Sequence, residues 1–232
     1  MIICHGLKLI FVKTKKTGGT SFEIALSKYC NADDIVCDIS EGDELIRAEL
    51  GFQGPVNFRR RQREKYLDPR YGEAHPNARI MGKFTSHIRS QRICRNMGEE
   101  LFSSYTKVSI HRDPLDFLVS QYYYKMYRRG PERQIPFKQW LISGENYKNV
   151  LINYRIAPVD GPFAMDVVLR QESLVADIEK AASLPEGLGS VLSSLSAKGN
   201  LRDPKSRDAQ EFFKQQGCEE YIEIARELVP RA

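Results

Sequence analysis

Residues 7–21 read LKLIFVKTKKTGGTS, and this stretch decides the fold. Its first six residues, 7–12, are nearly all apolar and predict a buried strand. The next seven residues form a basic turn that contains two glycines. From Thr20 onward the apolar residues recur at helical spacing, at positions 22, 25, 26 and 29, and predict a helix. The chain therefore opens with a strand–loop–helix unit.

The same alternation continues along the chain. Residues 105–111 and 165–169 predict two further core strands. Asp113-Pro114 predicts the start of a long helix, with an N-cap followed by proline at the first helical position, and Gly130-Pro131 predicts its end. Four more helices are predicted: one at 88–103, one around Phe137, Trp140 and Leu141, one at 173–183, and one at 208–229 with a break near Gly217. Strands that alternate with helices predict one α/β domain over residues 1–232, with helices on both faces of a central parallel sheet.

Composition narrows the class of protein. The chain has 232 residues, of which 41% are hydrophobic and 28% charged, and a net charge of +5 that favours anionic ligands. Charge alone does not choose among nucleotides, nucleic acids, sulfated sugars and membranes. Five cysteines without a C-x-x-C pair indicate a reducing compartment. Four histidines without H-x-x-x-H spacing give a metal site little support.

The first 13 residues contain a short apolar stretch that His5 and Lys8 interrupt. They lack the basic leader and the small-residue cleavage site of a signal peptide. No run approaches the ~20 apolar residues that a membrane helix needs. We therefore expect a soluble, cytoplasmic protein without a membrane span.

The loop between the first strand and helix has the residue types of an anion site. The N-terminus of a helix offers unpaired N–H groups and a positive dipole end. Gly18 and Gly19 let the backbone approach an anion, and Lys16 supplies a mobile positive charge. Hydroxyl donors come from three further residues of the loop, Thr17, Thr20 and Ser21.

This loop is not the nucleoside-triphosphatase motif, because Lys16 precedes the glycines and no G-K-[ST] occurs in the chain. Residues 16–21, KTGGTS, resemble the 5′-phosphosulfate loop of sulfotransferases that use 3′-phosphoadenosine 5′-phosphosulfate (PAPS), in particular the carbohydrate branch. Lys15 stands where that branch often has proline. The resemblance implies a P-loop nucleotide-kinase-like fold, no required metal, and a Lys16 that contacts the phosphosulfate and assists departure of the 5′-phosphate.

A second segment, 110–123, resembles the family's 3′-phosphate motif, R-[DN]-P-x-x-R-x-x-S-x-Y. Arg112 and Ser120 match its spacing of eight residues, whereas Phe117 replaces the motif's second arginine. Arg112 follows a predicted strand, at the sheet edge where open α/β folds bind ligands. A guanidinium and a hydroxyl are then expected to grip one phosphate. The alternative is that Arg112 only pairs with Asp113 or Asp116 at the helix start.

His87 is the candidate base. Sulfuryl transfer removes a proton from the acceptor, and histidine suits this near neutral pH. Residues 87–102 resemble the segment in which bacterial members of the family carry this histidine, although capping or surface exposure would also explain it. His111 is the poorer candidate, because strand alternation turns it away from its neighbour Arg112. Glu172 resembles a family position with a structural role.

Several readings stay open. The basic cluster Phe58 to Arg63 fits an anionic acceptor or a solvated face, and Tyr122, Tyr123 and Tyr124 fit a ligand platform or a core. We expect a sulfotransferase whose acceptor is a hydroxyl or amine, with carbohydrate favoured by the resemblance alone and no nucleic acid as partner. The alternatives are a non-catalytic protein that binds PAPS or its product 3′-phosphoadenosine 5′-phosphate (PAP), a P-loop-like kinase and, more distantly, a nucleic-acid binder.

Overall fold

The computed structural model describes residues 1–56, 84–195 and 203–230. The basic cluster at 58–63 and most of the predicted excursion at 51–82 lie outside the described residues. The strands are β1 (Ile2–Cys4), β2 (Leu9–Val12), β3 (Ile35–Val36), β4 (Thr106–His111) and β5 (Val167–Arg170). The α-helices before β4 are α1 (Gly19–Ser27), α2 (Glu41–Glu49), α3 (Ser90–Met97) and α4 (Glu99–Ser103). Those after it are α5 (Pro114–Arg129), α6 (Phe137–Ile142), α7 (Leu151–Ile156), α8 (Leu174–Lys180), α9 (Leu188–Ser194), α10 (Ala209–Gln215) and α11 (Glu220–Glu227).

The five strands form one mixed sheet in the order β3-β1-β2-β4-β5. The predicted parallel sheet is correct for β2, β4 and β5, but β1 runs antiparallel to both of its neighbours. A tight turn causes this difference. The Lys8 N–H donates to the His5 carbonyl at 3.1 Å, and Lys8 has a φ of 46°, so the chain folds back at once into a hairpin.

Successive residues of a strand point to opposite sides of the sheet. Because the residues on both sides are apolar here, helices cover both faces. On one face Leu9 and Phe11 of β2 pack in a cluster with residues of α1, α8 and α9. On the other face Ile10 and Val12 pack with α3, α4 and α7. A further cluster joins α5 to α6, α10 and α11 around Trp140. The α/β/α layering agrees with the prediction.

Local sequence signals place several helix ends correctly. The Asp113 carboxylate accepts hydrogen bonds from the backbone N–H groups of Leu115 and Asp116, at 2.9 and 3.0 Å, and caps α5. Gly130 ends the same helix. The helix predicted over 88–103 is instead divided into α3 and α4, because Gly98 adopts a φ of 94° between them. Within the described ranges, every helix is too short or too polar to cross a membrane.

Candidate nucleotide-binding site

The two predicted anion-binding segments meet at one edge of the sheet. Strands β2 and β4 are parallel neighbours, with Leu9 opposite Thr106 and Val12 opposite Ser109. The chain leaves both strands at the same edge, which is the ligand edge of open α/β sheets. There the Arg112 Nη1 donates a hydrogen bond of 2.8 Å to the carbonyl of Lys16. The structure therefore brings Lys16 and Arg112 into direct contact.

The loop before α1 has an unusual backbone. Lys16 and Gly18 have φ values of 59° and 76°, both in the left-handed region. A lysine in this region costs on the order of 1–3 kcal/mol, and such strain concentrates at functional sites. Gly18 adopts it without a Cβ penalty. The alternation turns the loop sharply into the helix, so the first N–H groups of α1 face the loop.

Nothing in α1 neutralises the positive end of its dipole. Gly18 offers no side chain to cap the helix, and its first turn contains no acidic residue. The N–H groups at the first helical positions have no intrahelical acceptors, and an anion satisfies them well. Thr20 and Ser21 are partly exposed on this turn, as a ligand contact requires.

The Thr17 hydroxyl was predicted to bind the anion, and the structure places it elsewhere. Its side chain is fully buried, and its hydroxyl lies 2.9 Å from that of Thr14, which in turn donates to the Ile110 carbonyl. The Thr17 hydroxyl therefore ties the loop to β4 and is not available to an exposed ligand. Only the backbone of Thr17 is left for a role in binding.

Gly19 is required by packing as well as by ligand approach. A Cβ at Gly19 would lie 3.0 Å from Cγ of Lys13. The Lys13 side chain is held in place, because its ammonium forms a buried ion pair with Glu23 of α1. This lysine thus supports the loop from beneath.

Asn153 is a site residue that the sequence analysis missed. Its buried amide accepts a hydrogen bond from the Lys15 N–H at 2.8 Å and donates one to the Lys15 carbonyl at 2.9 Å. With Arg112 on the next carbonyl, two side chains hold consecutive residues of the loop. No local pattern marks Asn153, since it lies 138 residues along the chain from Lys15.

The Lys16 ammonium lies over the ring of Tyr124, 4.3 Å from its centroid. This is a cation–π contact of modest strength at an exposed site. Tyr124 is exposed, whereas Tyr122 bonds the Ile135 carbonyl and packs among aromatic rings, and Tyr123 packs against Phe212. Of the three tyrosines, Tyr122 and Tyr123 therefore pack in the core and Tyr124 lies at the site.

Arg112 already has two acceptors. Its Nε donates to Asp116 at 2.5 Å, so the pairing expected under the simpler alternative is present, while Asp113 serves as the cap. A guanidinium has five N–H groups, and the contacts with Asp116 and Lys16 use two of them. Ser120 is partly exposed two turns along α5, and its hydroxyl makes no hydrogen bond within the described ranges. The structure does not join Ser120 to Arg112 directly.

Other cations surround this edge. Burial lowers the pKa of Lys125, and the positive charges of Arg129 and Lys15 lower it further. Cations that perturb one another in this way create a positive potential, which favours an anionic ligand.

His87 lies beside the start of the loop. Its Nδ1 is 3.1 Å from the Lys13 carbonyl, which can only accept a hydrogen bond, so Nδ1 carries the proton and Nε2 keeps its lone pair. Desolvation of the ring where it packs against the loop lowers the pKa of His87, although the residue is exposed on its other side. The charges of Lys13 and Lys15 act in the same direction. At neutral pH the ring is neutral and able to accept a proton.

His111 has a different environment. It is buried at the end of β4, with its ring centroid 4.7 Å from that of Tyr154, and burial lowers its pKa to about 4. Its Nε2 is buried without a partner among the described residues. His111 was the poorer candidate because strand alternation turns it away from Arg112, and its burial is a further reason to prefer His87.

Glu172 lies just after β5 and accepts a hydrogen bond of 2.8 Å from the Asp113 N–H. It thus fixes the start of α5 next to Arg112.

In the part of the chain that the structure describes, one group of possible metal ligands lies away from this site. The ligand atoms of Cys4, Cys30 and Asp34 lie within 4.8 Å of one another. The Asp34 carboxylate also accepts N–H groups from His5 and Asn31, at 2.6 and 2.7 Å, which accounts for its position at a turn. Because β1 is antiparallel to β2, Cys4 lies at the edge of the sheet opposite the loop.

Comparison with known proteins found no matching family model, no similar curated protein and no similar solved structure. The resemblance to sulfotransferases therefore stays a prediction from the two sequence motifs.

Proposed function

We propose that this protein is a sulfotransferase that moves the sulfuryl group of PAPS to a hydroxyl acceptor. The observation that carries the proposal is the 2.8 Å bond from Arg112 to the Lys16 carbonyl. It joins a segment suited to a phosphosulfate to one suited to a second phosphate, as a nucleotide with anionic groups at both its 5′ and 3′ positions requires. The proposal includes a P-loop nucleotide-kinase-like sulfotransferase fold and a carbohydrate as the acceptor.

The residues have distinct roles in the proposed reaction. The N–H groups of Gly18, Gly19 and Thr20, with the Thr20 and Ser21 hydroxyls, bind the phosphosulfate. Arg112 and Ser120 bind the 3′-phosphate. Asn153 and Arg112 hold Lys15 and Lys16, the residues that lead into these backbone donors. Donors in fixed positions stabilise developing negative charge, because they need no reorganisation during the reaction.

The transfer itself is an in-line displacement. His87 Nε2 takes the acceptor's proton while the acceptor oxygen forms a bond to sulfur and the bond from sulfur to the 5′-phosphate oxygen breaks. The leaving group is PAP. The Lys16 ammonium leaves the Tyr124 ring and neutralises the charge that develops on the departing oxygen. When the donor is bound, the negative charge of its phosphosulfate offsets that of Lys13 and Lys15 and raises the pKa of His87, which makes it a stronger base.

Incubation with radiolabelled PAPS, a panel of hydroxyl compounds and no magnesium tests this function. We expect label on at least one acceptor with the natural chain and none with Lys16→Ala. Binding of PAP without transfer to any acceptor would identify a non-catalytic binding protein. Turnover of ATP with magnesium would identify a kinase.

A further inference from the structure

An open groove of about 410 Å³ lies next to His87, and three arginines line it: Arg89, Arg92 and Arg95. Arg89 is the N-cap of α3, and the other two lie on that helix. Ile93 and Cys94 of the same helix are buried and anchor it to the core. The arginines are all exposed. Helix α3 thus presents a basic face to the groove.

Among the described residues, the arginines of this basic face have no acidic partner. Within residues 1–56, 84–195 and 203–230, no carboxylate lies in ion-pair contact with Arg89, Arg92 or Arg95. Two other exposed arginines do have acidic partners: Arg170 pairs with Asp177 and Arg226 with Glu223. Like charges three residues apart on a helix repel each other, and an anion bound in the groove would offset this repulsion.

The spacing of the three arginines indicates the size of the anion that fits the groove. Arginines three residues apart are displaced by about 4.5 Å along a helix, so the row extends over about 9 Å. A guanidinium binds planar or tetrahedral oxyanions through two N–H groups at once. A row of this length fits an extended molecule with more than one carboxylate or sulfate group better than it fits a single small ion.

His87 connects the groove to the chemistry of the proposed function. It lines the groove, and its Nδ1 contacts the carbonyl of Lys13 at the start of the nucleotide loop. We infer that the groove is the acceptor site and that the acceptor is a hydroxyl compound bearing several carboxylate or sulfate groups. The arginines bind these groups and leave a hydroxyl beside Nε2 of His87. This inference depends on the proposed function for its reaction, but not for its binding chemistry.

Calorimetry at low ionic strength tests it with a matched pair of probes. The acidic probe is a tetrasaccharide of mannuronate, with one carboxylate on each sugar, and the neutral probe is the corresponding tetrasaccharide of mannose. We expect the acidic probe to bind and the neutral probe to show no measurable heat. In Arg92→Ala/Arg95→Ala the affinity for the acidic probe should fall at least tenfold, since charge-assisted hydrogen bonds are lost. In Arg92→Lys/Arg95→Lys, which keeps the charge, the loss should be smaller.

Arg128→Ala/Arg133→Ala is the control, because it removes the same charge from exposed positions outside the groove. It should leave the affinity nearly unchanged. Equal binding of the two probes, no binding of the acidic probe, or an equal loss in the control would overturn the inference. Binding of PAP is measured separately in each variant. If the natural chain fails to bind PAP, the proposed function is refuted. If it binds PAP but does not prefer the acidic probe to the neutral one, only the proposed class of acceptor is refuted.

Discussion

Asn153 offers the most informative perturbation, because it touches neither ligand nor reacting atoms. Replacing it with alanine removes two hydrogen bonds, of 2.8 and 2.9 Å, between its amide and the backbone of Lys15. Each such bond contributes about 1 kcal/mol net, and a buried partner left unsatisfied costs more. We therefore expect Asn153→Ala to lower the free energy of unfolding by about 2–3 kcal/mol.

The same variant should weaken the binding of PAP beyond its effect on stability. The left-handed conformation of Lys16 is strained, and it persists only while neighbouring contacts support it. Without Asn153, the loop is ordered only when the ligand binds, so part of the binding free energy is used to order it. A cost of about 1.4 kcal/mol for this ordering corresponds to a tenfold loss of affinity.

Urea-induced unfolding measures the first effect, and calorimetry with PAP at a temperature where the variant is fully folded measures the second. Asn149→Ala is the matched control. It removes one 2.9 Å bond to Asn146, in the segment just before α7, without contact to the loop. It should cost no more than about 1 kcal/mol and leave the affinity unchanged. A change in unfolding free energy below about 0.5 kcal/mol in Asn153→Ala, or an unchanged affinity, would refute the proposed support of the loop.

Three further changes test other parts of the account. Lys16→Ala should lower sulfuryl transfer about 100-fold or more while the melting temperature stays nearly constant, because the lysine acts on the leaving group; full transfer in this variant would remove it from the mechanism. His87→Ala should lower turnover about 100-fold or more with little change in PAP affinity, and a defect confined to affinity would argue against a base. His111 is buried with a pKa of about 4, below its unfolded value, so stability should fall by roughly 3 kcal/mol as the pH drops from about 6.5 to 4. His111→Gln should lose this part of the pH dependence, as unfolding curves across that pH range would reveal; an identical pH dependence in the variant would contradict the assignment.

The elements that local chemistry specifies were predictable from sequence. The apolar run at 7–12 and the helical spacing after Thr20 locate β2 and α1, and Asp113-Pro114 locates the start of α5. Each of these signals acts over a few residues. The β1–β2 hairpin was missed because Lys8, a residue that rarely adopts a positive φ, occupies the turn. Gly98 divides a helix whose apolar pattern runs across it.

The sequence predicted which segments form the candidate site, but not the side-chain contacts within it. The order of strands determines that Lys16 and Arg112 lie at one edge, and two motifs marked both residues. The orientation of Thr17 depends on Thr14 and on the carbonyl of Ile110, which only the packed sheet brings together. The support from Asn153 likewise depends on a helix far along the chain. Contacts of this kind arise from tertiary packing and have no signature in a local pattern.

The central claim is that one nucleotide binds across both segments. Calorimetry with PAP and with adenosine 5′-phosphate, which lacks the 3′-phosphate, tests it most directly in the natural chain and in Arg112→Lys. Two charge-assisted hydrogen bonds to the 3′-phosphate predict that the natural chain binds PAP about 100-fold more tightly, and that Arg112→Lys narrows this ratio about tenfold. Equal affinities for the two nucleotides, or a ratio that Arg112→Lys leaves unchanged, would contradict the claim.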